Sequence, residues 1–244
     1  MNRTCLKMTA VLLTLLVSSK AAFAADANAP IRVEDYQNTI RVACVGDSIT
    51  AGVGAGGGQA YPAQLGRMLG SKWEVRNFGV SGCTLLNHGD NPYQKQGAFK
   101  AALAYKPDVV VIMLGTNDTK PQNWKHKDQL AADYKDLIGQ FAKLPSKPRI
   151  FICRPVPVPG SGNWGINEGG VKEEIPIIDK VAEETASSVI DMHAALADHP
   201  EMLPDRVHPN TAGATVMAKA ACKALTGKEA PAAEPSAKVK AKAA

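Results

Sequence analysis

Val109-Val110-Val111-Ile112-Met113-Leu114, followed at once by Gly115-Thr116-Asn117-Asp118, is the stretch on which the fold of this chain turns. An unbroken apolar run of strand length, rich in β-branched residues and without polar alternation, marks a strand buried on both faces. A glycine ends it and hydrogen-bonding side chains follow, so the run delivers polar groups to its own carboxyl end. Four further runs of similar length occur: Arg41-Val42-Ala43-Cys44-Val45, Trp73-Glu74-Val75-Arg76-Asn77-Phe78, Ile150-Phe151-Ile152-Cys153 and Val189-Ile190-Asp191-Met192. Between them, Leu130, Tyr134, Leu137, Ile138, Phe141 and Leu144 recur at helical spacing, as do Val171, Ile175, Ile178, Ala182 and Thr185. A last helix is predicted from about Pro209 to Leu225. Strand and helix alternate throughout, which predicts an α/β sandwich with a mainly parallel sheet of five strands covered on both faces.

In open parallel sheets ligands bind outside the carboxyl ends of the strands. Ser48 follows the first predicted strand, Gly82 the second, Asn117 the third, and Asp205 and His208 the fifth. Serine becomes a useful nucleophile only when a base takes its proton, the base is held in one tautomer, and donors await the developing oxyanion. Val45-Gly46-Asp47-Ser48-Ile49-Thr50 puts a serine on a turn directly after a buried strand. Asp205-Arg206-Val207-His208 lies between Pro204 and Pro209, which suits an aspartate that orients an imidazole three residues on. Asn77-Phe78-Gly79-Val80-Ser81-Gly82 ends a strand in a glycine-bearing loop with backbone N–H groups to offer, and Asn117 adds a side-chain amide. Asp47 and Asp118 are expected to brace the rim loops by accepting backbone hydrogen bonds.

These residues resemble the GDSL or SGNH hydrolases. Gly-Asp-Ser-Ile at 46 to 49 looks like the nucleophile block, Asn77 to Gly82 like the glycine block, Gly-Thr-Asn-Asp at 115 to 118 like the asparagine block, and Asp-Arg-Val-His-Pro at 205 to 209 like the closing block. The four stand in the family's order, and the first carries isoleucine where many members have leucine. The resemblance implies a flavodoxin-like three-layer α/β/α sheet, with Ser48 as nucleophile, His208 as base and Asp205 as its orienter. It implies Ser48 N–H, Gly82 N–H and the Asn117 amide as oxyanion donors. Such a site needs no metal and no organic cofactor.

Each residue also has a plainer reading: Ser48 as a helix cap, Gly79 and Gly82 as turn formers, Asn117 as a loop stabiliser, Asp205 and His208 as a capping pair. Their joint placement at strand ends favours the chemical one. His88, His126, His193 and His199 lack such context and are expected to be exposed or structural. Gly52-Val53-Gly54-Ala55-Gly56-Gly57 contains G-x-G-x-x-G, with Glu74 beyond it. That fingerprint should leave a strand and open a helix directly, whereas six residues intervene after the strand and the helix waits until about Pro62, so dinucleotide binding is not expected.

The amino-terminal residues read as an export signal, with Arg3 and Lys7 before an apolar stretch and Ala22-Phe23-Ala24 as the cleavage site, so residues 1–24 are expected to leave. No later segment approaches about 20 uninterrupted apolar residues, so membrane insertion is not expected. Arg3, Lys7 and Lys20 would go with the signal, leaving 25 of 28 basic residues against 23 acidic ones, a balance of +2. That is too small to suggest a nucleic-acid partner. Residues 25–226 are expected to form one domain, of the hydrolase kind that the resemblance implies, and 227–244, Ala, Pro and Lys rich, read as a disordered tail. Cys44, Cys83, Cys153 and Cys222 allow three full pairings, although Cys44 and Cys153 sit in strands where a buried free thiol is the commoner state.

The rim loops 87–93 and 155–165 are polar and rich in glycine and proline, each with an isolated aromatic, Tyr93 and Trp164, that a sugar could stack on. Together with export and the resemblance, they favour a secreted or periplasmic esterase that removes O-acetyl groups from carbohydrate, its partner a small-molecule or oligosaccharide ester. A broad short-chain esterase, lysophospholipase or thioesterase of the same family is the alternative, and a non-catalytic carbohydrate-binding protein the remoter one.

Overall fold

The computed structural model describes residues 29–230. The expected signal segment, 1–24, and most of the expected tail, from residue 231, lie outside the described residues. Five strands, β1 (Ile40–Gly46), β2 (Trp73–Gly79), β3 (Val109–Met113), β4 (Arg149–Arg154) and β5 (Ser188–Asp191), form one sheet in the order β2-β1-β3-β4-β5. All four pairings are parallel, with Cys44 between Asn77 and Val111 in the register. Every residue of β3 is buried, as its unbroken apolar sequence requires, whereas β2 lies at the edge and exposes Arg76 and Asn77.

The helices are α1 (Ser48–Ala51), α2 (Tyr61–Leu69), α3 (Gly97–Ala104), α4 (Pro121–Trp124), α5 (Leu130–Ala142), α6 (Glu168–Thr185), α7 (Met192–Leu196) and α8 (Thr211–Thr226). Tyr61 and Leu65 of α2, Leu196 of α7 and Met217 and Leu225 of α8 pack with Val42, Val111 and Phe151. Phe99 of α3, Leu137 and Phe141 of α5 and Ile178 of α6 pack with Val45, Val110 and Ile152. Successive strand residues point to opposite faces, so two separate cores form and the sheet is the middle of three layers. Helix α3 escaped the sequence reading because its eight residues are too short and too uniformly apolar to show a period.

Since β2 and β3 lie on opposite sides of β1, the winding reverses beside β1, and in such sheets ligands bind at the carboxyl ends of the strands on either side of the reversal, here β1 and β3. Ser48 and Asn117 are among the polar residues delivered there. No helix among the described residues is long and apolar enough to cross a membrane. Cys44, Cys83, Cys153 and Cys222 are all buried free thiols, and burial pushes the Cys44 thiol up to about 12.

Candidate active site

Ser48 is the first residue of α1, two residues beyond the end of β1. Asp47 caps this helix, its carboxylate accepting the Ile49 N–H at 2.9 Å. The Ser48 hydroxyl is 2.9 Å from Nε2 of His208, and both residues are nearly buried. Nδ1 of His208 is 2.8 Å from Oδ2 of Asp205, while Oδ1 accepts the N–H groups of Val207 at 3.0 Å and His208 at 2.7 Å. One carboxylate thus grips both the imidazole and the backbone that carries it. The turn closes through Arg206, whose φ of +70° is left-handed. Burial would raise the Asp205 pKa, but the hydrogen bonds from His208 and Val207 outweigh it and hold the group below its ordinary value. An ionised carboxylate at Nδ1 places the imidazole proton there and leaves Nε2 free to accept from Ser48. Between β5 and this turn come α7 and a short 3-10 turn at Pro200–Met202, so Asp205 and His208 reach the rim by a longer path than a direct strand end.

Gly82, on the turn after β2, has a left-handed φ of +78°. Asn117 belongs to a 3-10 turn, Thr116–Thr119, after β3 and is 4% exposed. Its Nδ2 donates to Oδ2 of Asp47 at 3.2 Å and to the Cys83 carbonyl at 3.1 Å. The amide therefore lies between the loop bearing Ser48 and the loop bearing Gly82. Both contacts are at the long end for N–H···O bonds, and one must yield for the amide to donate to an oxyanion. Asp118 accepts the N–H groups of Leu85 and Leu86 at 2.9 and 2.7 Å, tying the loop after Gly82 to the turn after β3. Burial pushes Asp47 up to about 6 against the Ile49 N–H bond, and Asp118 up to about 7 against those from Leu86 and Leu85.

The two sequence-predicted aromatics part company. Trp164 is 57% exposed with a left-handed φ of +51°, and its ring centroid is 5.4 Å from that of His208. Its loop is clipped to the His208 turn by Asn163 Nδ2 donating to the Asp205 carbonyl and Arg206 donating to the Ser161 hydroxyl. Tyr93 corrects the expectation of a ring at the rim. It is 1% exposed, its hydroxyl donates to the Phe78 carbonyl at 2.7 Å, and its ring packs edge-on against Phe99. An amphipathic ring whose one polar atom finds a backbone acceptor is stable inside, and the polar residues around it in sequence gave no sign of that.

Val53 and Gly54 went unmarked in the sequence except as part of the glycine-rich rival motif. A Cβ on Gly54, at φ +87°, would stand 2.9 Å from the Pro209 carbonyl and 3.1 Å from Cβ of His208. Gly54 thus lets the chain pass close against the backbone and Cβ of His208. Among the described residues, Val53 and Trp164 are the exposed large hydrophobic side chains, and each stands on a loop that touches His208. His193 pairs with Glu168, His199 with Glu201, and His88 faces His126 at 6.0 Å, all apart from the Ser48 constellation. Among the described residues no cluster of three or more His, Cys, Asp or Glu is arranged to hold a metal ion.

The model of the GDSL-like Lipase/Acylhydrolase family matches residues 44–216. An acetylxylan esterase from Xylanibacter ruminicola is 41% identical over 204 residues, covering 75% of this chain and 42% of the relative, so the chain spans less than half of that protein's length. An acetylxylan esterase from Geobacillus stearothermophilus is 29% identical over 203 residues, covering 72% of this chain and 89% of the relative. The crystal structure of an acetylxylan esterase from Geobacillus stearothermophilus superposes with a TM-score of 0.61 at 25% identity, over 77% of this chain and 94% of that one.

Proposed function

Because the chain belongs to the GDSL-like lipase/acylhydrolase family, we propose that it is a secreted serine esterase that removes O-acetyl groups from carbohydrate. The observation that carries the chemistry is the unbroken path from the Ser48 hydroxyl through His208 to Asp205. Nε2 of His208 takes the hydroxyl proton as Ser48 Oγ attacks the acetyl carbonyl carbon, and negative charge collects on the carbonyl oxygen. The Gly82 and Ser48 N–H groups and the Asn117 amide stabilise that oxyanion, the amide by giving up one of its two long contacts. Collapse breaks the ester bond, His208 returns the proton to the sugar oxygen, and an acetyl-serine remains. Water then repeats the sequence, with His208 as base, and releases acetate.

Placing Ser48, Gly82 and Asn117 on turns directly off β1, β2 and β3 sets the acyl carbon close against the sheet rim, where only a small acyl group fits. The alcohol side faces Trp164 and Val53, whose exposed apolar surfaces suit the C–H face of a sugar ring. The acetylxylan esterases among its relatives support this substrate class. The test is stoichiometric labelling by a serine-directed phosphonate, abolished in Ser48→Ala, followed by kcat/KM on acetylated xylo-oligosaccharides against aryl and long-acyl esters. Absence of labelling refutes the serine mechanism. Activity that climbs from acetyl to octanoyl, with no gain from a sugar leaving group, moves the enzyme to the lipid or thioester branch.

A further inference from the structure

Glu174, on α6, is fully buried, and both its carboxyl oxygens lack a hydrogen-bond partner among the described residues. An unpartnered buried polar group is costly to keep, and rules of folding are broken in this way chiefly at functional sites. The carboxyl occupies the space that a Cβ on Gly115 would take, against a backbone held at φ +121°. Gly115 opens the turn that carries Asn117. At the far end of the same turn, Thr119 Oγ1 accepts the Asn167 N–H at 3.3 Å, the Thr119 carbonyl accepts from Asn167 Nδ2 at 3.3 Å, and Thr119 packs on Gly170. The amino-terminal half of α6 and its cap therefore support both ends of a turn whose centre is Asn117.

We propose that Glu174 is a positioning residue of the acyl-transfer site: seated against the bare α-carbon of Gly115, its carboxyl sets the depth at which the turn presents Asn117 to the oxyanion. This rests on the hydrolase reading of Ser48 given above. The groups that face Glu174 are Asp118 from the turn after β3, Asp47 from the end of β1 and Tyr134 from α5. Burial first, then Asp118 and Asp47, push its pKa well above its ordinary value, in the direction of the neutral acid.

Length, and not charge, is then the property that matters. Glu174→Gln, equal in length and neutral, is expected to keep kcat within about threefold of the parent. Glu174→Asp, one methylene shorter, is expected to lower kcat about 10- to 100-fold with KM nearly unchanged, because a displacement near 1 Å is enough for such a loss. An Asp variant at full rate, or a Gln variant that falls as far as the Asp variant, overturns the proposal. Should the Asp variant not fold, Gly115→Ala pushes on the same carboxyl from the other side and must lower kcat at constant KM; full activity there overturns it equally. Ser48→Ala measured alongside separates the two ideas. Activity retained in Ser48→Ala sinks the hydrolase reading itself, whereas an inactive Ser48→Ala beside a fully active Asp variant sinks only the role of Glu174.

Discussion

Around the ends of β1 and β3 polar side chains hold one another and the backbone: Asp47 caps α1 and accepts from Asn117, Asp118 grips the N–H groups of Leu85 and Leu86, and Asp205, arriving after β5, grips His208. The Trp164 loop touches that framework through two polar contacts and the Trp164 ring against His208, and leaves more than half of that ring's residue in solvent. The first region holds its groups by mutual hydrogen bonds, as the proposed acyl transfer requires. The second is built to present a surface, and a surface can be changed without disturbing the chemistry. Substitutions in the two regions should therefore fail in different kinetic parameters.

The largest effect is expected from Ser48→Ala and His208→Ala, each lowering kcat by about four or more orders of magnitude with an unchanged melting temperature. Steady-state kinetics with thermal unfolding checks this, and near-normal activity in either variant removes the triad. Asn117→Ala should lower kcat roughly 10²- to 10³-fold with a smaller change in KM, since its amide donates fully only in the transition state. A loss confined to KM would place Asn117 in ground-state binding instead.

Tyr93 and Trp164 sharpen the contrast, because the same change should act on stability in one and on binding in the other. Tyr93→Ala removes a buried ring and its hydrogen bond and should cost about 3–5 kcal/mol in denaturant unfolding. Trp164→Ala should leave stability within about 0.5 kcal/mol while raising KM for sugar acetates and not for aryl acetates. Equal KM changes for both alcohols would deny the ring a role in sugar recognition.

The buried acids around the rigid region predict a pH dependence that the exposed loop does not share. Asp47 and Asp118 titrate near the ordinary 3.8 in the unfolded chain and at about 6 and about 7 in the folded one. Between those values the folded state binds more protons, so stability falls as pH rises from about 4 to about 7. Asp205 acts the other way, its depressed pKa adding stability that is lost only below about 4. Melting temperatures of Ser48→Ala between pH 4.5 and 8 should decline across that range, and a rise would contradict the burial of Asp47 and Asp118. The smallest effect concerns the acyl group. Each methylene that found an apolar pocket would contribute up to about 0.8 kcal/mol of binding, so kcat/KM that falls from acetyl to octanoyl marks the tight rim.

The sequence by itself determined the five strands, the long helices α5, α6 and α8, and the gathering of Ser48, Gly82, Asn117, Asp205 and His208 on one rim. Periodicity and strand-end placement are local properties, and local properties are written in consecutive residues. Tertiary structure alone decided that Tyr93 turns inward while Trp164 stays out, that Gly54 lies against His208, and that Glu174 of α6 ends beneath Gly115. Each of these depends on which segments distant in the chain come into contact, and a side chain's burial or partner at such a contact is set by the segment it meets, not by its own neighbours in sequence.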